Sequence, residues 1–446
     1  MRPKLGWSDL SYARVGLWGL GREGNANLRK LRSMGVEPVL VDDNPPGPDV
    51  LATGEGGLDA LKSCDVVVKS PGISRYRPEA TTLEAAGIPL TGGLGLWIAE
   101  ADRSRVVCVT GTKGKSTTSA VLGHLLTGLG KSVLVGGNIG VVPYDPEVDG
   151  EFDYWVIEVS SYQATDLPYS APVVAVTSLH PDHLPWHGGV ERYYRDKLSA
   201  CSQPGAELTI ANGDSELIRA RADLLGPRVE WVHDGQADWT QPLGLLGAHN
   251  RRNALIARRC LEALGFHPDD DELREAANGY PGLPSRLTNI GSVDGVTFVD
   301  DSLSTNVLPT LAALEAFPGR RVALIVGGQD RGIDYEPLAA GIMTRDAPTF
   351  VLTVGDTASR IRVAFENATV EPSPAWRSGG SGLLDCPDLD YAVQSGFPWA
   401  RPSGVVLLSP AAPSFGQFRD YRDRGDAFAR AMRQLPGSSD GPSHAE

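Results

Sequence analysis

The stretch VTGTKGKSTTSA, residues 109–120, constrains this chain more than any other. It follows RVVCV, a β-branched run with the character of a short buried strand. It leads into SAVLGHLLTGLG, whose apolar spacing is helical. Strand, glycine-rich turn and helix start, in that order, gather backbone N–H groups at one point, where the helix dipole favours an anion. Lys115 is placed to reach the outer phosphates of a nucleoside triphosphate, and Ser116 or Thr117 to offer a hydroxyl to magnesium. The standard loop has glycine five residues before its Gly-Lys pair, and Val109 stands there instead. The match is the shortened form GTKGKST: Gly111, Thr112, Lys113, Gly114, Lys115, Ser116 and Thr117. The bland alternative is a glycine-rich βα turn with no ligand, but Gly-Lys-Ser-Thr at a strand–helix junction favours a triphosphate site.

The same grammar recurs along the chain. ARVGLWGLGREGNANLRKLRSMG reads as strand, glycine turn and helix, with Gly19, Gly21 and Gly24 in G-x-G-x-x-G spacing and Asp42 and Asp43 about 20 residues on. Taken alone, this is either a dinucleotide fingerprint or a tight turn that needs glycines. CDVVVKSPGIS adds a strand with a Pro-Gly turn at its carboxyl end, where open α/β sheets place ligands. KSVLVGGNIG, DYWVIEVSSYQA and APVVAVTSLHPDHLPWHGG continue the second unit. GVTFVDDS, RVALIVGG, TFVLTVG and GVVLLSPA form a third. Strands alternating with helices predict mostly parallel sheets covered on both faces. Residues 201–246 read as mixed and turn-rich, LLGAHNRRNALIARRCLEALG as a helix, VEPSPAWRSGGSGLLDCPD as a surface loop and LPGSSDGPSHAE as a frayed tail. The expectation is an α/β protein of three domains: residues 1–104 Rossmann-like, 105–284 a P-loop ATPase-like parallel sheet, and 285–446 Rossmann-like.

Bulk properties exclude several classes. A chain of 446 residues exceeds one ordinary core. No apolar run is long enough to span a bilayer, and the first residues lack a signal-peptide core, which gives the expectation of a cytoplasmic protein. The net charge of −14 argues against nucleic acid as a main partner. Five scattered cysteines (Cys64, Cys108, Cys201, Cys260, Cys386) form no metal or disulfide spacing and read as reduced, buried small hydrophobes.

Other polar residues gather at strand ends. Glu158 precedes SSYQ, and His183 follows Asp182 in HPDHLPWHGG, donors of the kind a hard cation uses beside phosphate oxygens. Lys197, in ERYYRDKLSA, reads by itself as a solvated helix lysine. VDDSLSTN brings Asp301, Ser302, Thr305 and Asn306 to one strand end, and Arg286 in LPSRL could reach a triphosphate as a transition-state clamp.

Together the motifs TGTKGKST, GGNIG, EVSSYQ, PDHLPWHG, GAHNRRN, GLPSRL, DDSLSTN, GGQDRG and LLSPAAPSFGQFRDYRDRGDAF resemble the Mur ligases, in that family's order and over nearly the whole chain. GLGREG and the C-terminal motif are similar to its glutamate-adding branch. That resemblance implies an ATP- and magnesium-dependent ligase of peptidoglycan precursor synthesis, with UDP-N-acetylmuramoyl-L-alanine and glutamate as substrates. Its first domain would hold the uridine nucleotide, so Gly21, Arg22, Glu23, Asp42 and Gly72 would form a UDP pocket and Asn138 would meet the sugar-nucleotide. Lys115 and Ser116 would bind ATP phosphates and a first magnesium with Glu158. His183 and Lys197 would hold a second magnesium, Lys197 as a carbamate made with carbon dioxide. Lys115, His183 and Lys197 would be the catalytic set, and Asn253, Arg286 and Asp301 would contact the adenine nucleotide. The implied chemistry is phosphoryl transfer to a terminal alanine carboxylate, then attack of an amine on the acyl phosphate, with domain closure excluding water.

The chain departs from the family pattern around the incoming amino acid. Leu303 stands where D-glutamate-adding members carry a lysine, and Arg331 replaces another lysine. Gly416 replaces an acid, Tyr421 takes the following aromatic position, and Pro185 falls within DHLPWH. With Thr305 and Ser414, Leu303, Arg331 and Tyr421 would line the amino-acid pocket. These departures resemble the subgroup that adds L-glutamate and leaves inversion to a separate epimerase; the alternative is the ordinary D-glutamate-adding enzyme. A diamino-acid-adding or folate-glutamylating ligase of the same fold, a nicotinamide-dependent oxidoreductase resting on GLGREG, and a non-catalytic regulator are the remaining readings.

Overall fold

The computed structural model describes residues 2–437, so most of the expected tail lies outside the described residues. Three sheets carry the fold. The first contains β1 (Val15–Trp18), β2 (Val39–Asp42), β3 (Leu51–Ala52), β4 (Val66–Lys69) and β5 (Leu90–Thr91), all parallel in the order β3-β2-β1-β4-β5. The turn after β1 depends on glycine at two points. Gly19 has φ +93°, and a Cβ at Gly24 would overlap the Gly19 carbonyl oxygen, so helix Arg22–Ser33 can seat closely only with glycine there.

The second sheet comprises β6 (Val106–Thr110), β7 (Val133–Gly137), β8 (Tyr154–Glu158), β9 (Val173–Val176), β10 (Leu208–Asn212) and β11 (Val229–Val232), in the order β11-β10-β9-β6-β8-β7. Every pairing is parallel, and Val106, Val107, Cys108 and Val109 are fully buried, as the β-branched run predicts. β6 lies between β8 and β9, so the segments following all three emerge side by side at one sheet edge. The mixed stretch 201–246 supplies β10 and β11, whose short, half-polar sequences hid them.

The third sheet holds β12 (Thr288–Val293), β13 (Val296–Asp300), β14 (Val322–Val326), β15 (Thr349–Thr353), β16 (Gly382–Asp385) and β17 (Val405–Leu408), in the order β12-β13-β17-β14-β15-β16. Only β12 is antiparallel. β16 corrects the expectation of a loop at 370–388. Gly382 to Asp385 pair with β15 as an edge strand, too short and too glycine-led to show a pattern.

The chain divides into two compact units, Met1–Leu243 with Asn250–Tyr280, and Gly244–His249 with Pro281–Glu446. The first unit contains the first two sheets and the second contains the third. All five cysteines are free and buried. Among the described residues, no helix is long and apolar enough to cross a membrane.

Candidate active site

The turn after β6 is built for close approach. Gly111 has φ +138° and Gly114 φ +87°, both in the left-handed region that glycine adopts without strain. The turn is pinned to the neighbouring segment: Thr112 N–H donates to the Ser178 carbonyl and Lys113 N–H to Ser178 Oγ, each at 2.8 Å. Thr112 Oγ1 also lies 2.8 Å from the Tyr193 hydroxyl. Helix Lys115–Gly128 starts directly behind, and Lys115 Nζ folds back to the Thr112 carbonyl at 3.2 Å. Ser116 and Thr117 are buried in its first turn. A Cβ at Gly114 would lie 2.6 Å from Asn253 Oδ1, so Asn253, on helix Ala248–Ala263, stands against this turn.

Beside it, Glu158 ends β8 with its carboxylate buried. Oε2 accepts from Ser116 Oγ at 2.6 Å and Oε1 from Asn138 Nδ2 at 2.5 Å. Lys197 is buried on helix Val190–Leu198 and donates to the Gly111 carbonyl at 2.9 Å. Burial, reinforced by the Lys115 charge, pulls its amine well below the ordinary lysine range. A lysine read as solvated therefore sits inside, against the glycine turn. His183 is exposed in a left-handed conformation (φ +52°), and burial of its surroundings moves its imidazole downwards. Ser116 and Glu158 offer the oxygen donors magnesium prefers. Among the described residues no group of three or more His, Cys, Asp or Glu side chains is arranged as a metal cage, so phosphate oxygens and a modified Lys197 would have to complete any such set.

The sequence reading missed what holds this region. His187 is fully buried, Nδ1 at 2.6 Å from Asp196 and Nε2 at 3.0 Å from Ser161 Oγ, which ties the His183 turn to the helix bearing Lys197. Trp186 stacks on Tyr162 (centroids 4.4 Å, 25°), donates from Nε1 to the Gly72 carbonyl at 2.9 Å, and accepts from Ser74 Oγ at its carbonyl. Three histidines within HPDHLPWHGG were the visible signal, but no spacing rule distinguishes their roles.

The residues expected around the uridine nucleotide divide. Gly21 and Gly72 have nothing within 4 Å of a notional Cβ. Asp42 works on the chain itself, accepting from Leu20 N–H at 2.6 Å and from Asn44 N–H. Arg22 donates to the Asn138 carbonyl at 2.8 Å, and Glu23 accepts from Gln163 Nε2 at 2.5 Å, so this charged pair faces the second sheet's segments. Burial raises the Glu23 carboxyl to about 7. Below it, Lys69 and Asp166 form a buried ion pair at 2.6 Å, which Arg75 joins at 3.3 Å.

In the second unit, Asp301 is buried and accepts from Ser304 Oγ, Ser409 Oγ and Leu287 N–H, and burial lifts its carboxyl to about 7. Arg286 sits between two left-handed residues, Ser285 and Leu287. Leu303 and Thr305 follow β13, Arg331 follows β14 with its guanidinium 5.5 Å from the Phe415 ring, Ser414 follows β17, and Tyr421 opens helix Tyr421–Arg433. β13, β17 and β14 are neighbours, so their following segments share one edge.

Residues 109–230 match the model of the Mur ligase middle domain. The chain is 38% identical to the UDP-N-acetylmuramoyl-L-alanine–L-glutamate ligase of Salinispora tropica, over 96% of this chain and 99% of that one. It is 39% identical to the protein of the same name from Xanthomonas euvesicatoria, over 95% and 96%. The chain belongs to the Mur ligase family. Mur ligases form amides at the expense of ATP, and the oxidoreductase reading of GLGREG falls away. Among solved structures it is similar to the UDP-N-acetylmuramate–alanine ligase of Thermotoga maritima (TM-score 0.56, 17% identity, 95% of this chain and 99% of that one). It is equally similar to MurF of Acinetobacter baumannii (TM-score 0.56, 16% identity, 95% and 92%). At that identity the likeness concerns the fold, three α/β domains of the Mur type.

Proposed function

We propose that this Mur ligase joins L-glutamate to the alanine carboxylate of UDP-N-acetylmuramoyl-L-alanine in peptidoglycan precursor synthesis. The observation that carries the reading is near full-length similarity to relatives bearing that name. Leu303 and Arg331, which depart from the D-glutamate pattern, support the isomer. Residues 1–104 take the uridine nucleotide, 105–284 ATP and 285–446 the amino acid. A separate epimerase then inverts the product, and the work is done in the cytoplasm.

The alanine carboxylate attacks the γ-phosphorus of ATP, ADP leaves, and an acyl phosphate forms. The amine of glutamate, having lost its proton, attacks the acyl carbon, and inorganic phosphate departs as the amide forms. Gly111 to Thr117 hold the phosphates through backbone N–H groups, and Lys115 swings from the Thr112 carbonyl to the γ-phosphate. Asn253, Arg286 and Asp301 hold the adenine nucleotide, while Gly21, Arg22, Glu23, Asp42, Gly72 and Asn138 frame the UDP-sugar. Leu303, Thr305, Arg331, Ser414 and Tyr421 frame the glutamate. Ser116 and Glu158, and His183 with a carbamylated Lys197, would hold magnesium, which would supply charge neutralisation between carboxylate and phosphate. Burial lowers the Lys197 amine below the ordinary lysine range, which favours the free amine that carbon dioxide requires.

The test is phosphate release from ATP with magnesium and UDP-N-acetylmuramoyl-L-alanine, run separately with L- and D-glutamate. Release with L-glutamate alone is expected. Release with D-glutamate alone overturns the isomer, and silence with both overturns the substrate.

A further inference from the structure

Arg424, on helix Tyr421–Arg433, is only 2% exposed. Its Nη2 donates to two carbonyls from different loops, Ser302 at 2.8 Å and Ala412 at 3.0 Å. The first loop follows β13 and the second follows β17, strands that pair directly. The third neighbour also abuts this side chain: a Cβ at Gly328, after β14, would lie 3.1 Å from Arg424 Nη1 and would overlap the Pro413 carbonyl oxygen. The guanidinium therefore stands where three loops meet. Among the described residues its Nε and Nη1 have no hydrogen-bond partner. A buried cation with two idle donors is a poor way to stabilise a fold, because each unmet N–H keeps its desolvation cost. Asp300 partly offsets the charge, its carboxylate held by Ser302 N–H at 2.9 Å and Ser285 Oγ at 2.9 Å.

We propose that Arg424 is the positioning residue of the incoming amino acid's site: by clamping the Ser302 and Ala412 carbonyls it sets the spacing between the loop of Leu303 and Thr305 and the loop of Ser414. Loss of the clamp lets the two loops part, and the residues expected to frame the amino acid lose their common geometry. A planar fork reaches both carbonyls from one atom with a fixed orientation, which a lysine ammonium does not reproduce. The inference rests on the proposal that these loops receive the amino acid.

The experiment compares Michaelis constants of wild type and Arg424→Lys for ATP, UDP-N-acetylmuramoyl-L-alanine and the amino acid that wild type uses, with thermal melting as a check on folding. The expected result is a rise of about tenfold or more in KM for the amino acid, with the other two within about twofold. Arg424→Gln, which keeps a planar donor group but offers one amide in place of the guanidinium, should raise the same constant and serves if Arg424→Lys does not fold. Equal rises in all three constants, or an unchanged amino-acid KM in a folded variant, overturn the inference. Wild-type silence with both glutamates overturns the substrate reading instead; the comparison then runs on whichever amino acid supports phosphate release.

Discussion

Lys197 Nζ donates to the Gly111 carbonyl across 2.9 Å, so a fully desolvated lysine braces the glycine turn that precedes Lys115. Replacing it by alanine should leave the fold intact and lower kcat about 100-fold or more, a loss of the size seen when one preorganised charge is removed. Short carboxylates such as formate should restore part of the rate if the working form is a carbamate, because they return an anion to the same cavity. Guanidinium or ammonium salts restoring the rate in their place would show that a cation is needed.

Gly114 tolerates no side chain on two counts. Its φ of +87° costs an L-residue about 1–2 kcal/mol, and the new Cβ would press on Asn253 Oδ1 at 2.6 Å. Gly114→Ala should weaken binding of a fluorescent ATP analogue about tenfold. Adding Asn253→Ala should recover the steric part and leave the backbone part. Full affinity in the single variant would remove the turn from the nucleotide site.

The Lys69–Asp166 pair is buried on both sides. Asp166→Ala strands an ammonium in the interior and should cost about 3–5 kcal/mol in urea unfolding. Lys69→Met combined with Asp166→Leu should recover at least half of that, although Arg75 keeps its own link to Glu84 at 2.6 Å. A double variant as unstable as the single one would mean that packing, not charge, sets the cost.

Glu23 gives a pH signature. Its carboxyl, raised from 4.5 to about 7, keeps in the folded state a proton that the unfolded chain releases. The associated stability is present below pH 4.5 and is lost as pH rises through 7. Glu23→Gln should therefore gain on wild type by on the order of 2 kcal/mol between pH 4.5 and 8, allowing for the half-buried position of the residue. Parallel stability curves for the two proteins would contradict it.

The glycine turns and the central strands could be read in the sequence because their information is local. A run such as VALIV has no other comfortable setting than a sheet interior. The edge strand GLLD had no such protection, since three half-buried residues and an exposed Asp385 carry no period. The partners of Arg22 and Glu23 lie 116 and 140 residues away along the chain, and only the assembled sheets bring them together. The positions of His187 and Trp186 were hidden for the same reason. Lys197 is placed on a helix by its spacing, but its burial is not legible locally: Asp196, Lys197 and Leu198 are buried while Glu191, Arg192 and Arg195 on the same helix are exposed.

The first glycine turn separates inheritance from variation. Gly19 and Gly24 are locked against backbone and Ser70, whereas Gly21 and Gly72 look onto open space. Drift in the locked pair is closed to this scaffold, because any added carbon collides with main chain or with the side chains packed on it. Drift in the open pair meets no such obstacle and, on the proposed reading, alters only the room left for the uridine nucleotide. A descendant of this chain could thus change its donor or acceptor while its first sheet stayed superimposable on the parent's, and ligand preference in this scaffold is free to evolve faster than shape.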